Sequence, residues 1–223
     1  VWDLQHKIHQ RIIDEKKLDR IGEFEGERKN DVLLFVEHPH VYTLGKSGDE
    51  ENMLRSLLEL QELEAEYVKT NRGGDITYHG PGQIVGYPIL DLDRHFTDIH
   101  KYLRYLEEVI IKVCGDYGFE AQRIDGLTGV WIGDQKICAM GIRCSRWVTM
   151  HGFALNVNTN LQYFNNIVPC GIEDKEVTSL QKLIGCEIDL EEVKKRIVTH
   201  FENVFDVSIK PSGTQTELKK NFL

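Results

Sequence analysis

Apolar residues at Leu4, Ile8 and Ile12, with charged residues between them, recur at helical spacing and predict an amphipathic helix from Trp2 to about Leu18. The pattern then changes. Residues 31–37, DVLLFVE, form a short continuous apolar run closed by His38-Pro39, the mark of a buried strand. Beyond a loop carrying Gly45, Lys46, Ser47 and Gly48, a helix is predicted over Met53 to Gln61 and a strand around residues 67–70, YVKT. Residues 83–92, QIVGYPILDL, have strand composition. Thr97 or Asp98 then caps a long helix whose face is Ile99, Leu103, Leu106, Ile110 and Val113, and which Gly115 and Gly118 end.

Residues 129–133, GVWIG, a turn at Gly133-Asp134 and residues 136–143, KICAMGIR, read as a hairpin, with a further strand from Val148 to Val157. Thr178 or Ser179 can cap a short helix. Asp189 followed three residues later by Glu192 resembles a capping box for a last helix through about Val204, with a short strand predicted at Val207–Lys210 and a frayed polar tail from Ser212. Helices interspersed with hairpin-linked strands predict the α+β class, with a mixed, largely antiparallel sheet and flanking helices. One domain over residues 1–211 and a tail over 212–223 follow from this pattern.

Composition narrows the partners. A chain of 223 residues that is 41% hydrophobic has enough for one large core. Its 28% charged fraction describes a soluble globular protein, and no stretch approaches the apolar length of a membrane span. Val1 to Lys7 make neither a signal core nor a transit peptide, and the missing initiator Met points to residues upstream. Five cysteines, an odd count without CxxC pairs, predict a reducing, cytoplasmic setting. A net charge of −9 argues against a nucleic-acid partner, which would require clustered Lys and Arg.

The densest chemical feature is RGGDITYHGPGQ, residues 72–83, with four glycines and a proline in twelve residues. Such a run brings backbone N–H groups close to a ligand. It lacks the lysine of a mononucleotide loop and the spacing of a dinucleotide fingerprint. Glycine content alone makes it a tight turn; Arg72, Tyr78 and His79 beside the glycines turn it into a candidate binding loop. The second feature is Cys170, set between Pro169 and Gly171 in VPCGI, a context that presents a thiol to solvent. Cys114, Cys138, Cys144 and Cys186 read as small buried hydrophobes. A reactive thiol needs a cation, a helix N-terminus or a base nearby. Lys136 opens an apolar strand, although taken alone it is an ordinary strand-edge lysine. HGFALNVN, residues 151–158, supplies small residues that suit either a narrow apolar channel or ordinary core.

Together RGGDITYHGPGQ, GVWIGDQKICAMGIR, HGFALNVN and VPCGIEDKEVTSL, in that order and preceded by EHPHVYTLGK, resemble the motif set of lipoyl (octanoyl) transferases over residues 31–185. The spacing of Trp2 and Gln5 fits the first helix of that family. The resemblance implies a fold similar to the catalytic modules of biotin and lipoate ligases, with the acyl chain in a tunnel. It implies transfer of an octanoyl group from acyl carrier protein to a lysine of lipoyl domains, those of 2-oxoacid dehydrogenase E2 subunits and of the glycine cleavage H protein, without cofactor or metal.

Carried over residue by residue, the resemblance makes Cys170 the acyl-thioester cysteine and Lys136 the lysine that lowers its pKa. It places substrate contacts on Arg72, Gly73, Gly74, Asp75, Ile76, Thr77, Tyr78 and His79, on Ala139, Met140 and Gly141, and on Gly152, Phe153 and Ala154. Lys136, its own pKa lowered by burial, would then take the proton of the attacking amine, while His79 orients rather than acts as base. Because acyl carrier proteins and lipoyl domains are acidic, Lys46, Arg72, Arg143 and Arg146 are expected to gather on one face near Cys170. The rivals are an ATP-dependent lipoate or biotin ligase that does not need Cys170, a cysteine hydrolase pairing it with His79 or His151, and a carrier-binding module that never acylates.

Overall fold

In the computed structural model, which describes residues 1–25, 31–168 and 176–211, the chain builds one six-stranded sheet, one three-stranded sheet and five helices among the described residues. Helix α1 spans Trp2–Arg20 and buries Ile8, Ile12 and Ile13. Strands β1 (Val32–Val36), β2 (Val41–Leu44), β3 (Glu66–Lys69), β4 (Thr77–His79) and β5 (Gln83–Ile89) follow, with helix α2 (Leu57–Glu62) before β3. Helix α3 (Ile99–Asp116) leads to β6 (Ala121–Ile124), β7 (Leu127–Ile132), β8 (Gln135–Ser145) and β9 (Val148–Asn156). Helices α4 (Leu180–Ile184) and α5 (Leu190–Phe205) complete the described chain.

The large sheet has the order β1-β5-β9-β8-β7-β6 and is antiparallel throughout. Its two faces are covered separately, because successive strand residues point to opposite sides. Val85, Tyr87 and Ala154 pack under Ile8, Ile12 and Ile13 of α1. Ile84, Phe153 and Leu155 pack on the other face with Leu106, Ile110 and Val113 of α3 and Val193 and Ile197 of α5. Each such fully buried aliphatic side chain contributes about 1.5–3 kcal/mol. Asp98 caps α3 by accepting from Lys101 N at 2.9 Å. Lys16, 5% exposed, ties α1 to the sheet through Asp91, Asp93 and the carbonyl of Arg146.

The small sheet, β3-β2-β4, pairs β2 parallel to β3 and antiparallel to β4. The sequence pattern does not reveal β2, β4 or β6: strands of three or four residues are too short to show a period. The helix expected over Met53–Gln61 is broken. Met53 bridges to Ile167 and Leu54 N donates to Asn166 O at 2.9 Å, so this backbone bonds to the chain before Cys170, and α2 starts only after the Ser56 capping box. The strand expected at Val207–Lys210 does not form. Ile209 N donates instead to Glu202 Oε1 of α5 at 2.7 Å. The tail from Ser212 lies outside the described residues.

Candidate active site

The start of the glycine run, Arg72 and Gly73, packs on β8. Arg72 Nη2 donates to the carbonyl and hydroxyl oxygens of Thr43 at 2.5 and 2.9 Å, and its Nη1 donates to Gly73 O at 3.1 Å, which leaves the side chain 8% exposed. Gly73 N donates to Ile142 O at 2.8 Å and staples the loop across the strand. The residues that face the loop have no room for a side chain. A Cβ on Gly141 would stand 2.8 Å from Gly73 O, and one on Gly45 2.1 Å from Gly74 O. Asp75 braces the loop by accepting from Asn52 Nδ2 and Ile76 N, each at 2.6 Å.

Under the loop lies a cavity of about 820 Å³. Arg72, Gly73, Gly74, Asp75, Ile76, Thr77 and His79 line it from the loop and β4; Lys136, Ala139, Met140 and Gly141 from β8; and Gly152, Phe153 and Ala154 from β9. Tyr78 is outside the lining. Alternation along β4 turns it away, and its ring lies 5.0 Å from Tyr163 with its hydroxyl 2.7 Å from His40 Nδ1. Sequence reasoning missed His38, Thr43, Gln83, Tyr87 and Asn156, which also line the cavity. Gln83 and Asn156 are polar positions inside apolar strands, and that misfit was a readable signal. His38 and Tyr87 carry none, since only strand pairing brings their side chains to 2.7 Å.

Desolvation keeps the cavity imidazoles neutral. It pushes His79 down to about 3, His151 to about 3 and His38 to about 4, and the nearby charge of Arg72 adds to the effect on the first two. His151 sits in β9 with φ +62°, and its amide donates to Gln5 Oε1 of α1 at 3.1 Å. Its Nε2 lies 2.8 Å from Asn71 Oδ1.

Half-buried Lys136 faces Trp131 across the β7–β8 hairpin, with Nζ 4.7 Å from the indole centroid in a cation–π contact. A register shift between Val130 and Trp131 sets that pairing, and the buried Glu107 carboxylate accepts from Gly129 N beside it at 3.1 Å. Beyond Asn156, the β9 side of β8 is taken by Val177, which makes a parallel bridge to Lys136. Lys136 N donates to Glu176 O at 2.9 Å and Thr178 N to Lys136 O at 3.0 Å. Cys170 and Gly171 lie outside the described residues, but both flanks of residues 169–175 are tied down. Val168 N donates to Asn52 O at 2.9 Å on one side, and Glu176 meets Lys136 on the other.

The model of the lipoyl protein ligase A/B catalytic domain family matches residues 2–202. The chain belongs to that family. Among its relatives, the octanoyltransferase of Christiangramia forsetii is 57% identical over 215 residues, covering 94% of this chain and 92% of that protein. A crystal structure of lipoate-protein ligase A bound with ATP has a TM-score of 0.73 at 14% identity, covering 98% of this chain and 87% of that one. A biotin protein ligase from Aquifex aeolicus in complex with biotin and ATP has a TM-score of 0.50 at 15% identity, covering 74% and 70%. The expected α+β module of lipoate and biotin ligases is the fold observed.

In this lipoyl ligase A/B family chain the thiols differ sharply. Burial pushes Cys114 up to about 12 and Cys138 well above the usual thiol range, and Cys144 is half-buried and also raised. Cys186 is exposed, contrary to its expected burial, because it follows the αL Gly185 that ends α4. Cys170, around which the basic cluster was expected, lies outside the described residues, and Arg146 stands apart from Lys136. It sits in the β8–β9 turn, ten residues and roughly 30 Å of strand from Lys136. Arg143 is half-buried and acts by its charge on His9 and His151, while exposed Lys46 adjoins Arg72 through its amide.

Packing at Gly152 is testable. A Cβ there would stand 2.2 Å from Gly86 O on the neighbouring strand. Gly152→Ala is therefore expected to cost about 1–3 kcal/mol, lowering the melting temperature by roughly 5 °C. An unchanged calorimetric melting temperature would count against this packing.

Proposed function

We propose that the chain is an octanoyltransferase that carries an octanoyl group from acyl carrier protein to a lysine amine of lipoyl domains, the first step of protein lipoylation. Residues 1–211 form the catalytic domain, and the setting is the cytoplasm. The E2 subunits of 2-oxoacid dehydrogenases and the glycine cleavage H protein supply the acceptor lysines. The carrying observation is the 57% identity with an octanoyltransferase over 94% of the chain. The cavity supports it, since its lining runs from the glycine loop to Lys136 and Val177, two residues beyond the segment that holds Cys170.

In this reading Lys136 takes the Cys170 proton and the Cys170 thiolate attacks the thioester carbonyl. The C–S bond to the carrier breaks, and Lys136 returns that proton to the departing carrier thiolate, leaving the octanoyl group on Cys170 and Lys136 neutral. The acceptor amine then attacks the new thioester. Cys170 leaves as thiolate and the amine proton passes through Lys136. Exchange between two thioesters is nearly isoenergetic, so the cycle needs no ATP. Intact-mass measurement after mixing with octanoyl-acyl carrier protein, without nucleotide, tests this: one octanoyl group is expected on the protein. An adduct that forms only with ATP and free acid would favour a ligase.

Lys136→Met removes the cation and the proton acceptor together and keeps most of the packing against Trp131. The acylation rate of Cys170 in a rapid-quench experiment is expected to fall about 10²-fold. Acylation within a factor of two of the wild-type rate would remove Lys136 from the mechanism.

A further inference from the structure

A line of buried polar groups leaves the cavity wall and ends on the main chain of Lys136. Gln83 and Asn156 stand directly opposite each other in the β5–β9 pair. Gln83 Nε2 donates to Asn156 Oδ1 at 2.8 Å and to Tyr78 O at 3.2 Å. Both amide hydrogens are thus used, so Gln83 Oε1 accepts, and His79, 2.8 Å away, carries its proton on Nδ1. In the other direction Asn156 Nδ2 donates to Thr178 O at 3.0 Å, and Thr178 N to Lys136 O at 3.0 Å. Gln83, Asn156 and Thr178 are 1%, 3% and 0% exposed.

An apolar pair would fill the same space in these strands without the desolvation cost of two amides. What the amides add is connection. Beyond Asn156, residues 176–178 rather than β9 hold that side of Lys136, and the Asn156 amide fixes the Thr178 carbonyl within that segment.

We propose that Gln83 and Asn156 are positioning residues: they bridge His79 on the glycine loop to the 176–178 segment and thereby hold Lys136 in register with the chain that follows Cys170. The proposal rests on the roles given above to Lys136 and Cys170. Asn156 sets the main chain behind the lysine, and Gln83 sets both Asn156 and the tautomer of His79.

Three substitutions in the full chain test it, with octanoyl-acyl carrier protein as the probe. Asn156→Asp keeps the shape but puts an acceptor against Thr178 O. Gln83→Met keeps the volume and removes the bridge. Both are expected to slow acylation of Cys170 roughly tenfold or more, with KM for the carrier within about twofold, as for a misplaced catalytic group. Gln83→Glu keeps the His79 bond and places a carboxylate beside an imidazole that also faces His38, Arg72 and His151. Its His79 ring, followed by NMR, is expected to titrate well above the wild-type value of about 3, and the acylation rate to acquire a pH limb at the same place.

A folded Asn156→Asp or Gln83→Met chain that acylates at the wild-type rate, or loses rate only through KM, overturns the proposal. So does a shifted His79 titration in Gln83→Glu without a matching limb in rate. If the wild type takes up no octanoyl group, the Cys170 reading fails and hydrogen exchange decides the bridge separately. The Thr178 amide is expected to lose protection in Asn156→Asp, and unchanged protection overturns the bridge.

Discussion

Cys170→Ala is expected to gain no octanoyl mass from octanoyl-acyl carrier protein and to transfer to a lipoyl domain slower by on the order of 10³-fold or more. The size of the loss follows from what the thiol does. With it, a direct aminolysis between two proteins becomes a thioester exchange followed by aminolysis of the enzyme thioester, each needing only one protein partner at a time. Without it, carrier, enzyme and acceptor must meet together and the amine must attack the carrier thioester directly. None of the other four thiols lines the cavity. Cys114 and Cys138 are buried, with ionisation pushed far up, and Cys144 is shifted the same way. Cys186 is exposed, so Cys186→Ala is the control and is expected to be acylated like the wild type. Intact mass and a steady-state transfer assay check both variants. Retention of a tenth of the wild-type rate by Cys170→Ala would sink the covalent mechanism.

Acid should unfold this protein well before its carboxylates are neutralised. His79 and His151 are 8% and 6% exposed and stay neutral in the native state down to about pH 3, whereas in the unfolded chain they take up protons near pH 6.5. Their folded values are lowered, so the unfolded state binds more protons below pH 6.5. Stability is then full above that pH and falls as pH drops towards 3. At pH 5 each contributes a loss of about 2 kcal/mol, about 4 kcal/mol for the pair, a large part of an ordinary domain's stability. Carboxylates with lowered values, such as Asp116 and Glu108, act in a lower window, below the ordinary carboxylate range. Urea unfolding at pH 7.5, 6 and 5 measures the effect. A stability independent of pH between 7 and 5 would show that these imidazoles are protonated in the native state. His151→Gln is expected to reduce the slope by about one proton.

The hairpin of β7 and β8, the long helices α3 and α5 and the strand β9 were all readable from hydrophobic period and turn residues. So was the crowding of glycines at residues 73–82, which the structure explains one by one: Gly73 O approaches Gly141, Gly74 and Gly82 adopt positive φ, and a side chain at Gly80 would strike Tyr78. Less was readable where chemistry depends on pairing. Tyr78 sits in the densest motif and yet points away from the cavity, because a three-residue strand assigns alternate residues to opposite sides. His38 follows the end of β1 and Tyr87 lies in β5, and they meet only because β1 pairs with β5.

Local order along the chain therefore determined the long helices, the β7–β8 hairpin and β9, the family and the residue types able to carry acyl transfer, since period, caps and motifs are properties of neighbouring residues. Tertiary structure alone decided which of those residues share a cavity, which imidazoles are stripped of water, and that the Gln83–Asn156 pair connects the glycine loop to Lys136. Those outcomes depend on contacts between residues far apart in sequence and on burial, and no local pattern encodes either.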